Sequence, residues 1–187
     1  NPVYDHVSLL AQCSGTIASP DGPVSISGPC TVEYARCMTP QSLTRRALPE
    51  SWKLPADFFT YQIVQLDDRH QLLLTDVRAS GVTACKLAYI RTVDGSAKVF
   101  DDVEFDVLEY ADALHVDPQG REMRVPRVLR WQVRDHGRTV VEFEAEIDSE
   151  WRYGHGKGYV GAYTYRGTFD GASINGTGYI EWVDCEV

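Results

Sequence analysis

The segment from Gly158 to Asp184 constrains the fold of this chain more than any other. It divides into two long stretches joined at Asp170-Gly171, a dipeptide suited to the positive φ angles of a tight hairpin turn. Strand side chains alternate between two faces, and one face of the first stretch carries Tyr159, Gly161, Tyr163, Tyr165, Gly167 and Phe169. Glycine between aromatic residues is typical of a strongly coiled sheet, where a large side chain needs a neighbour without a Cβ. The pattern predicts a closed β-barrel with an aromatic interior.

Turn signals extend this architecture over most of the chain. After Pro55 there is no convincing helical periodicity, and about nine to eleven strands follow one another, most of them hairpin-linked. Residues 98–110 read as one of these strands, and Arg127–Arg134 pairs with Arg138–Asp148 across Asp135-His136-Gly137. This order favours an all-β fold, a single antiparallel up-and-down β-barrel, over a sandwich.

The N-terminal part of the chain is less regular. Val3, Val7 and Leu10 have helical spacing, which predicts a short helix in the first dozen residues. Two short strands, 15–19 and 24–27, then flank a turn at Pro20-Asp21-Gly22-Pro23. Residues 38–55 form an irregular loop with a short helix at Gln41–Ala47, and either a lid or a plain crossover would account for it. We expect one domain over residues 1–187.

Composition excludes several classes of partner. A formal net charge of −9 argues against nucleic acid and anionic membrane surfaces. No apolar run approaches the roughly 18 residues of a membrane-spanning helix. The five cysteines are odd in number and irregularly spaced, which is typical of free thiols in a reducing cytosol. A soluble, cytoplasmic protein is expected.

The sequence lacks familiar catalytic signatures. It contains no P-loop, no H-E-x-x-H and no G-x-S-x-G motif, and its five histidines are scattered. Alternation from Thr139 to Asp148 places four acids on one face, namely Glu142, Glu144, Glu146 and Asp148. They indicate either a metal site or, in better agreement with the net charge, a solvated outer wall. We therefore expect no metal and no cofactor.

Polar residues on core-forming strands are the candidate site. Asp76 and Arg78 extend the apolar stripe of Leu72 and Leu74, as a charged pair that positions a ligand or as a strand that passes from core to rim. On the next strand Tyr89 shares a face with Cys85, Leu87 and Arg91.

Two further sets of candidates come from other strands. On the strand 30–36, Glu33 and Tyr34 point to opposite faces, and the sequence leaves the orientation of Glu33 open. The aromatic side chains predicted to contact the ligand, although core filling would also account for them, are Tyr34, Tyr61, Trp131, Tyr163 and Tyr165.

Three segments, in order, carry a resemblance to a known family. They are Val24–Tyr34, Phe58–Asp68 together with Leu72-Leu-Leu-Thr-Asp-Val-Arg78, and Gly176-Thr-Gly-Tyr-Ile-Glu-Trp182. Together they resemble the C-terminal lipocalin-like domain of the carotenoid 1,2-hydratase and lipocalin-type Diels-Alderase superfamily. The resemblance implies a calycin-type barrel and cofactor-free hydration, cyclisation or cycloaddition of polyene-like substrates in an apolar cavity.

The resemblance also implies roles for particular residues. Glu33 matches the acidic position of the family and would act as a general acid, because an apolar pocket raises the pKa of a carboxyl group. The usual Trp before this acid and His after it are replaced by Val32 and Tyr34. Members of the family have two such domains with the active site largely between them. A homodimer, a second lipocalin-like domain or the barrel's own interior would complete the site.

The sequence thus predicts a barrel that binds a hydrophobic small molecule. Cofactor-independent isomerase, cyclase or hydratase activity on a polyene, terpenoid or polyketide-like substrate is the enzymatic form of this prediction, with Glu33 and Asp76 as catalytic residues. Arg78 and Tyr89 are assigned to ligand binding together with the aromatic side chains. The alternatives are a carrier or sensor without catalysis, and a structural half of a two-domain enzyme.

Overall fold

The regular secondary structure in the described part of the chain consists entirely of β-strands. The computed structural model describes residues 4–37, 45–46, 56–155 and 157–185. No helix in these ranges is long and apolar enough to cross a membrane. The strands are β1 (Tyr4–Ser19), β2 (Gly22–Cys37), β3 (Phe58–Gln65), β4 (His70–Ala79), β5 (Val82–Thr92), β6 (Ala97–Phe100), β7 (Asp102–Tyr110), β8 (His115–Val116), β9 (Glu122–Met123), β10 (Pro126–Asp135), β11 (Arg138–Ile147), β12 (Arg152–His155), β13 (Gly158–Phe169) and β14 (Ala172–Asp184).

The chain divides into two compact units, and the first contains the β1–β2 hairpin and the segment Thr92–Ser96. β1 and β2 pair antiparallel along their whole length around the predicted turn at Pro20-Asp21. The predicted N-terminal helix is wrong, because β2 pairs with every residue from Tyr4 to Ser19 and this pairing overrides a weak helical spacing. The predicted loop 38–55 and its helix at Gln41–Ala47 lie outside the described residues, apart from a bend at 45–46.

The second unit is built on one large antiparallel sheet. Its strands follow the order β6, β5, β4, β3, β14, β13, β11, β10, β7, with β12 paired to β13. The two end strands are consecutive in the chain, since only Asp101 separates β6 from β7. Residues 98–110 are therefore two strands, not the single strand predicted. Lys98 of β6 also forms an ion pair of 2.6 Å with Asp135 of β10. The sheet thus curls back on itself, and the predicted all-β, up-and-down architecture is confirmed.

One face of this sheet forms the core. On β3, buried and half-buried residues alternate strictly, and cross-strand neighbours continue the buried face around the sheet. The largest fully buried side chains are Trp131, Trp182, Tyr163, Phe143, Leu72, Leu74, Leu129 and Ile180. On the other face of β11, Glu144 and Glu146 are exposed, which confirms the predicted outer wall.

Glycines give the aromatic side chains the space that the sequence pattern predicts. Gly178 lies opposite Tyr163 on the neighbouring strand, and a Cβ there would lie 2.6 Å from the phenol oxygen and still closer to the ring. Gly167 lies opposite Phe143, and a Cβ there would approach the Phe143 Cα to 2.6 Å. The Tyr163 and Phe143 side chains can pack against the neighbouring strands only because Gly178 and Gly167 have no side chain.

Candidate functional site

A group of polar side chains crosses the inner face of the barrel on β3, β4 and β5. We call this group the polar strip; it consists of Thr60, Gln62, Asp76, Arg78 and Lys86. Thr60, Gln62 and Asp76 are completely buried, with relative exposures of 0%. Alternation places Thr60 and Gln62 on the core face of β3, and the register sets Asp76 directly opposite Thr60. A hydroxyl, an amide and a carboxylate group are thus enclosed in an otherwise apolar wall.

Two cations hold the Asp76 carboxylate. Its Oδ2 accepts hydrogen bonds from Nη2 and Nε of Arg78 at 2.8 and 3.2 Å, and the Lys86 Nζ lies 3.4 Å from the same oxygen. The Arg78 and Lys86 side chains are 28% and 25% exposed, so the cluster leads from the buried carboxylate towards solvent. The Arg78 guanidinium also lies over the Phe58 ring, 4.2 Å from its centroid. The sequence-predicted pairing of Asp76 with Arg78 is present.

The polar strip contains two buried acceptor atoms without a protein partner. Asp76 Oδ1 and Gln62 Oε1 have no hydrogen-bond partner among the described residues, whereas the Gln62 amide nitrogen donates to Thr60 Oγ1 at 3.1 Å. Leaving a buried acceptor unsatisfied costs about 1–3 kcal/mol, and more for a charged group. Such a cost is a reason to look for a bound group at these atoms.

Three of the predicted aromatic residues line the same inner face. Trp131 is fully buried with its ring 4.3 Å from that of Phe105, and Tyr163 is stacked on Phe143 with ring centroids 6.4 Å apart. The Tyr165 hydroxyl donates to the Gln65 carbonyl oxygen at 2.5 Å. They form an aromatic part of the inner face that also carries the polar strip.

Burial keeps the two tyrosines in their neutral form. It raises the pKa of Tyr165 to about 12, with a further contribution from the negative charge of Asp67. Burial raises the pKa of Tyr163 well above its ordinary value, and Tyr165 adds to this effect. Near neutral pH both side chains therefore remain neutral phenols. The Tyr165 hydroxyl donates to Gln65, whereas the Tyr163 hydroxyl has no hydrogen-bond partner among the described residues.

Two predicted ligand residues lie on the other face of the sheet. Tyr61 falls between the buried Thr60 and Gln62 on β3, so its side chain points away from the polar strip. Tyr89 falls between the buried Ala88 and Ile90 on β5, and its ring lies 5.8 Å from the Arg91 guanidinium. The structure does not bring Tyr61 or Tyr89 to Asp76.

Glu33 and Tyr34 belong to the hairpin unit. In the register of β2 they face Ser8 and Val7 of β1. The side chains of these four residues lie outside the described part of the structure, so the assigned roles of Glu33 and Tyr34 stay predictions.

Sequence reasoning missed three members of the polar strip. Thr60 and Gln62 stand between Phe58 and Val64 on one face of β3, and a polar pair inside an apolar stripe was the available signal. Lys86 shares the inner face of β5 with Ala88 and Ile90. The sequence-predicted candidates on β5 belong to the opposite set of alternating residues, so Lys86 is not among them.

The short β8–β9 hairpin packs against β13 and β14. Trp182, which is opposite Thr60 in the register, donates from Nε1 to the Arg124 carbonyl oxygen at 2.8 Å. The His115 ring packs edge-on against Tyr159 at 5.3 Å. Asp117 fixes the intervening turn, because its Oδ1 accepts hydrogen bonds from two backbone N–H groups of that turn. These contacts hold the hairpin and the residue after it against β13 and β14.

An open depression of about 500 Å³ lies elsewhere, over β11, β13 and β14. Outward-facing residues of the outer wall, such as Glu144, Arg166 and Asn175, contribute much of its lining. These side chains are exposed. The two buried acceptors without a partner, Asp76 Oδ1 and Gln62 Oε1, are instead on the inner face, which makes the polar strip the stronger candidate site.

Comparison with known proteins identifies the family. All residues from 1 to 187 match the family of unknown function DUF6670. The chain belongs to this family. No curated protein matches the chain.

Two solved structures share the fold. Kievitone hydratase from Nectria haematococca superposes with a TM-score of 0.63 at 14% identity, covering 91% of this chain and 49% of that one. A protein provisionally assigned as AttH from Nitrosomonas europaea gives a TM-score of 0.61 at 17% identity, covering 92% and 49%. The chain thus spans about half the length of both proteins. At these identities the likeness shows the fold, and the predicted lipocalin-like domain is confirmed.

Proposed function

We propose that the barrel binds a hydrophobic small molecule whose polar group lies against the polar strip. The observation that carries this proposal is the pair of buried acceptors, Asp76 Oδ1 and Gln62 Oε1, in an aromatic and aliphatic wall. Small-molecule sites typically combine a mainly apolar lining with a few convergent polar groups. The partly exposed Arg78 and Lys86 mark the side from which the molecule would enter.

Native mass spectrometry of the protein purified from its own cells tests this proposal. We expect a co-purifying apolar molecule that is released on denaturation. Ala88→Phe, which fills the inner face of β5, should abolish its retention, whereas Val99→Phe at an exposed position of β6 should not. Circular dichroism should first show that both variants are folded. A wild-type protein that carries no molecule and binds none when extracts of its own cells are added back would refute the proposal.

A second candidate is cofactor-free addition of water, isomerisation or cyclisation of the bound molecule. The buried Asp76 carboxylate favours it, because an ion-paired carboxylate with one unoccupied oxygen can accept a proton from water. In a hydration, Asp76 would take up one proton of a water molecule as the water oxygen bonds to one carbon of the double bond, and would return that proton to the other carbon. Glu33 stays the general acid that the resemblance implies. The hydratase among the fold neighbours is consistent with this chemistry.

Two substitutions separate an enzyme from a carrier. Incubation of the protein with the co-purified molecule should change the mass of that molecule by one water for a hydratase, or rearrange it without a change of mass for an isomerase or cyclase. Glu33→Gln and Asp76→Asn should each abolish turnover while an olefinic ligand still binds. If the molecule remains unchanged over prolonged incubation with the wild type, the protein is a carrier or sensor.

The proposal includes a second barrel. Because the chain spans 49% of both fold neighbours, a second copy or another lipocalin-like domain would complete an assembly of their length. Light scattering of the purified protein should then give a dimer mass, or a monomer that gains mass when its partner is added. A stable monomer that retains the bound molecule would exclude a shared site.

A further inference from the structure

We infer that the polar strip recognises a neutral hydrogen-bond donor, namely the hydroxyl group of an alcohol or phenol on an apolar frame. This inference rests on the proposed binding function and specifies the chemistry of the ligand. It follows from which atoms of the strip are occupied and which are not.

The unoccupied atoms of the strip are both acceptors. Oδ2 of Asp76 is engaged by Arg78 and Lys86, and this fixes the carboxylate so that Oδ1 is the oxygen left over. The amide of Gln62 is oriented in the same way, because its nitrogen donates to Thr60 and leaves Oε1 without a partner. Asp76, Gln62 and Thr60 are all completely buried. A ligand that satisfies the strip must therefore bring protons to it.

The charges around the strip select among donors. An ammonium group would approach two cations, Arg78 and Lys86, that already share the carboxylate. A ligand carboxylate has no proton to donate and would face the lone pairs of Asp76 Oδ1 and Gln62 Oε1. A neutral hydroxyl donates to Oδ1 without disturbing the ion pairs. Hydrogen bonds to a charged acceptor are about twice as strong as neutral ones.

The spacing of the two acceptors also limits the ligand. Asp76 is directly opposite Thr60, and Gln62 is two residues further along β3, so Asp76 and Gln62 are diagonal neighbours on one face. Diagonal Cβ atoms in an antiparallel pair lie about 7–8 Å apart or somewhat less. A hydroxyl group carries one proton and donates to one of the two acceptors, so a second donor on the same frame is needed to satisfy both.

Three naphthalenes with one frame test the inference. Isothermal titration calorimetry of the full chain with 2-naphthol, 2-methoxynaphthalene and 2-naphthoate compares a donor, a non-donor and an anion. We expect 2-naphthol to bind at least about 10-fold more tightly than the methyl ether, as for a hydrogen bond to a charged group. Naphthoate should bind more weakly than either.

Variants then locate the hydroxyl group. Asp76→Asn should reduce the preference for 2-naphthol over its methyl ether to below about 3-fold, because the acceptor loses its charge. Tyr61→Phe on the opposite face of β3 is the matched control and should behave as the wild type.

The outcomes separate this inference from the proposed function. Equal affinities for 2-naphthol and its methyl ether would overturn the inference while leaving the binding function intact, and so would tightest binding of naphthoate. If none of the three probes binds and no molecule co-purifies, the binding function fails and the inference falls with it. If Asp76→Asn does not fold, the comparison of the three probes on the wild type still decides.

Discussion

Replacing Gly178 with alanine should destabilise the barrel by about 3 kcal/mol, at the upper end of the usual cost of overpacking a core. The added methyl carbon would lie 2.6 Å from the Tyr163 hydroxyl oxygen and closer to its ring, whereas carbon contacts are optimal at about 3.5–4.0 Å. Tyr163 is fully buried and stacked on Phe143, so its ring can move only if the surrounding core also moves. For a chain of this length, the melting temperature should fall by about 6–12 °C.

Thermal unfolding followed by far-ultraviolet circular dichroism measures this effect. Gly176→Ala is the graded control, because its Cβ would approach the edge of Tyr165 only to 3.2 Å, and it should cost less. At Gly15 the added methyl group meets no atom within 4 Å, so Gly15→Ala should be neutral or mildly stabilising. In a Tyr163→Ala background the penalty of Gly178→Ala should nearly vanish, since the two changes share one contact. If Gly178→Ala melts as the wild type does, or costs as much without the Tyr163 ring, the explanation is wrong.

Three other perturbations test individual contacts. Tyr165→Phe removes the donor to the Gln65 carbonyl oxygen and should cost about 1–2 kcal/mol in urea unfolding. Because burial raises the Tyr165 pKa to about 12, this tyrosine stabilises the fold below its unfolded pKa, and the contribution is lost as the pH rises through about 12. The variant should not show this loss at high pH. Burial tends to raise the pKa of Asp67, but hydrogen bonds from neighbouring backbone N–H groups and from His70 leave that pKa lowered. Asp67 therefore stabilises the fold at neutral pH, and this contribution is lost as the pH falls through the folded pKa. Asp67→Asn should flatten the acid side of a profile of unfolding free energy against pH, and an unchanged acid side would contradict this. Trp182→Phe leaves the Arg124 carbonyl without its donor and should cost about 1–3 kcal/mol in the same urea assay, whereas an unchanged unfolding midpoint would show that this bond adds nothing.

Local chemistry made the hairpins of the barrel predictable. Asp170 and Gly171 adopt φ angles of 47° and 81°, and His136 and Gly137 adopt 49° and 80°. Few residues tolerate such angles, so the sequence marks these turns by residue type alone. The alternation between turns then predicted the outward acids of β11 and the inward aromatic residues of β13.

The composition of the site depended on information that a single strand does not carry. Tyr61 and Tyr89 are aromatic residues on strands with two partly buried faces, and alternation alone does not tell which face is the inner one. Pairing between strands decides this, because the register sets Asp76 opposite Thr60 and so assigns the inner face. Lys86 joins the site through the β4–β5 pairing in the same way. Glu33 carries the remaining catalytic assignment as a prediction.

The pairing of β14 with β3 has a consequence for how the barrel forms. These two strands are the last and the first of the large sheet, and the Cys185 N–H donates to the Asp57 carbonyl oxygen at 2.6 Å where they meet. During synthesis, β3 must wait for nearly the whole barrel to leave the ribosome before its partner exists. Contacts so distant in sequence slow folding, and an unpaired β3 edge is exposed to other chains meanwhile. The closing strand is therefore expected to set the rate of folding, and truncation within β14 to yield aggregation instead of a smaller stable barrel.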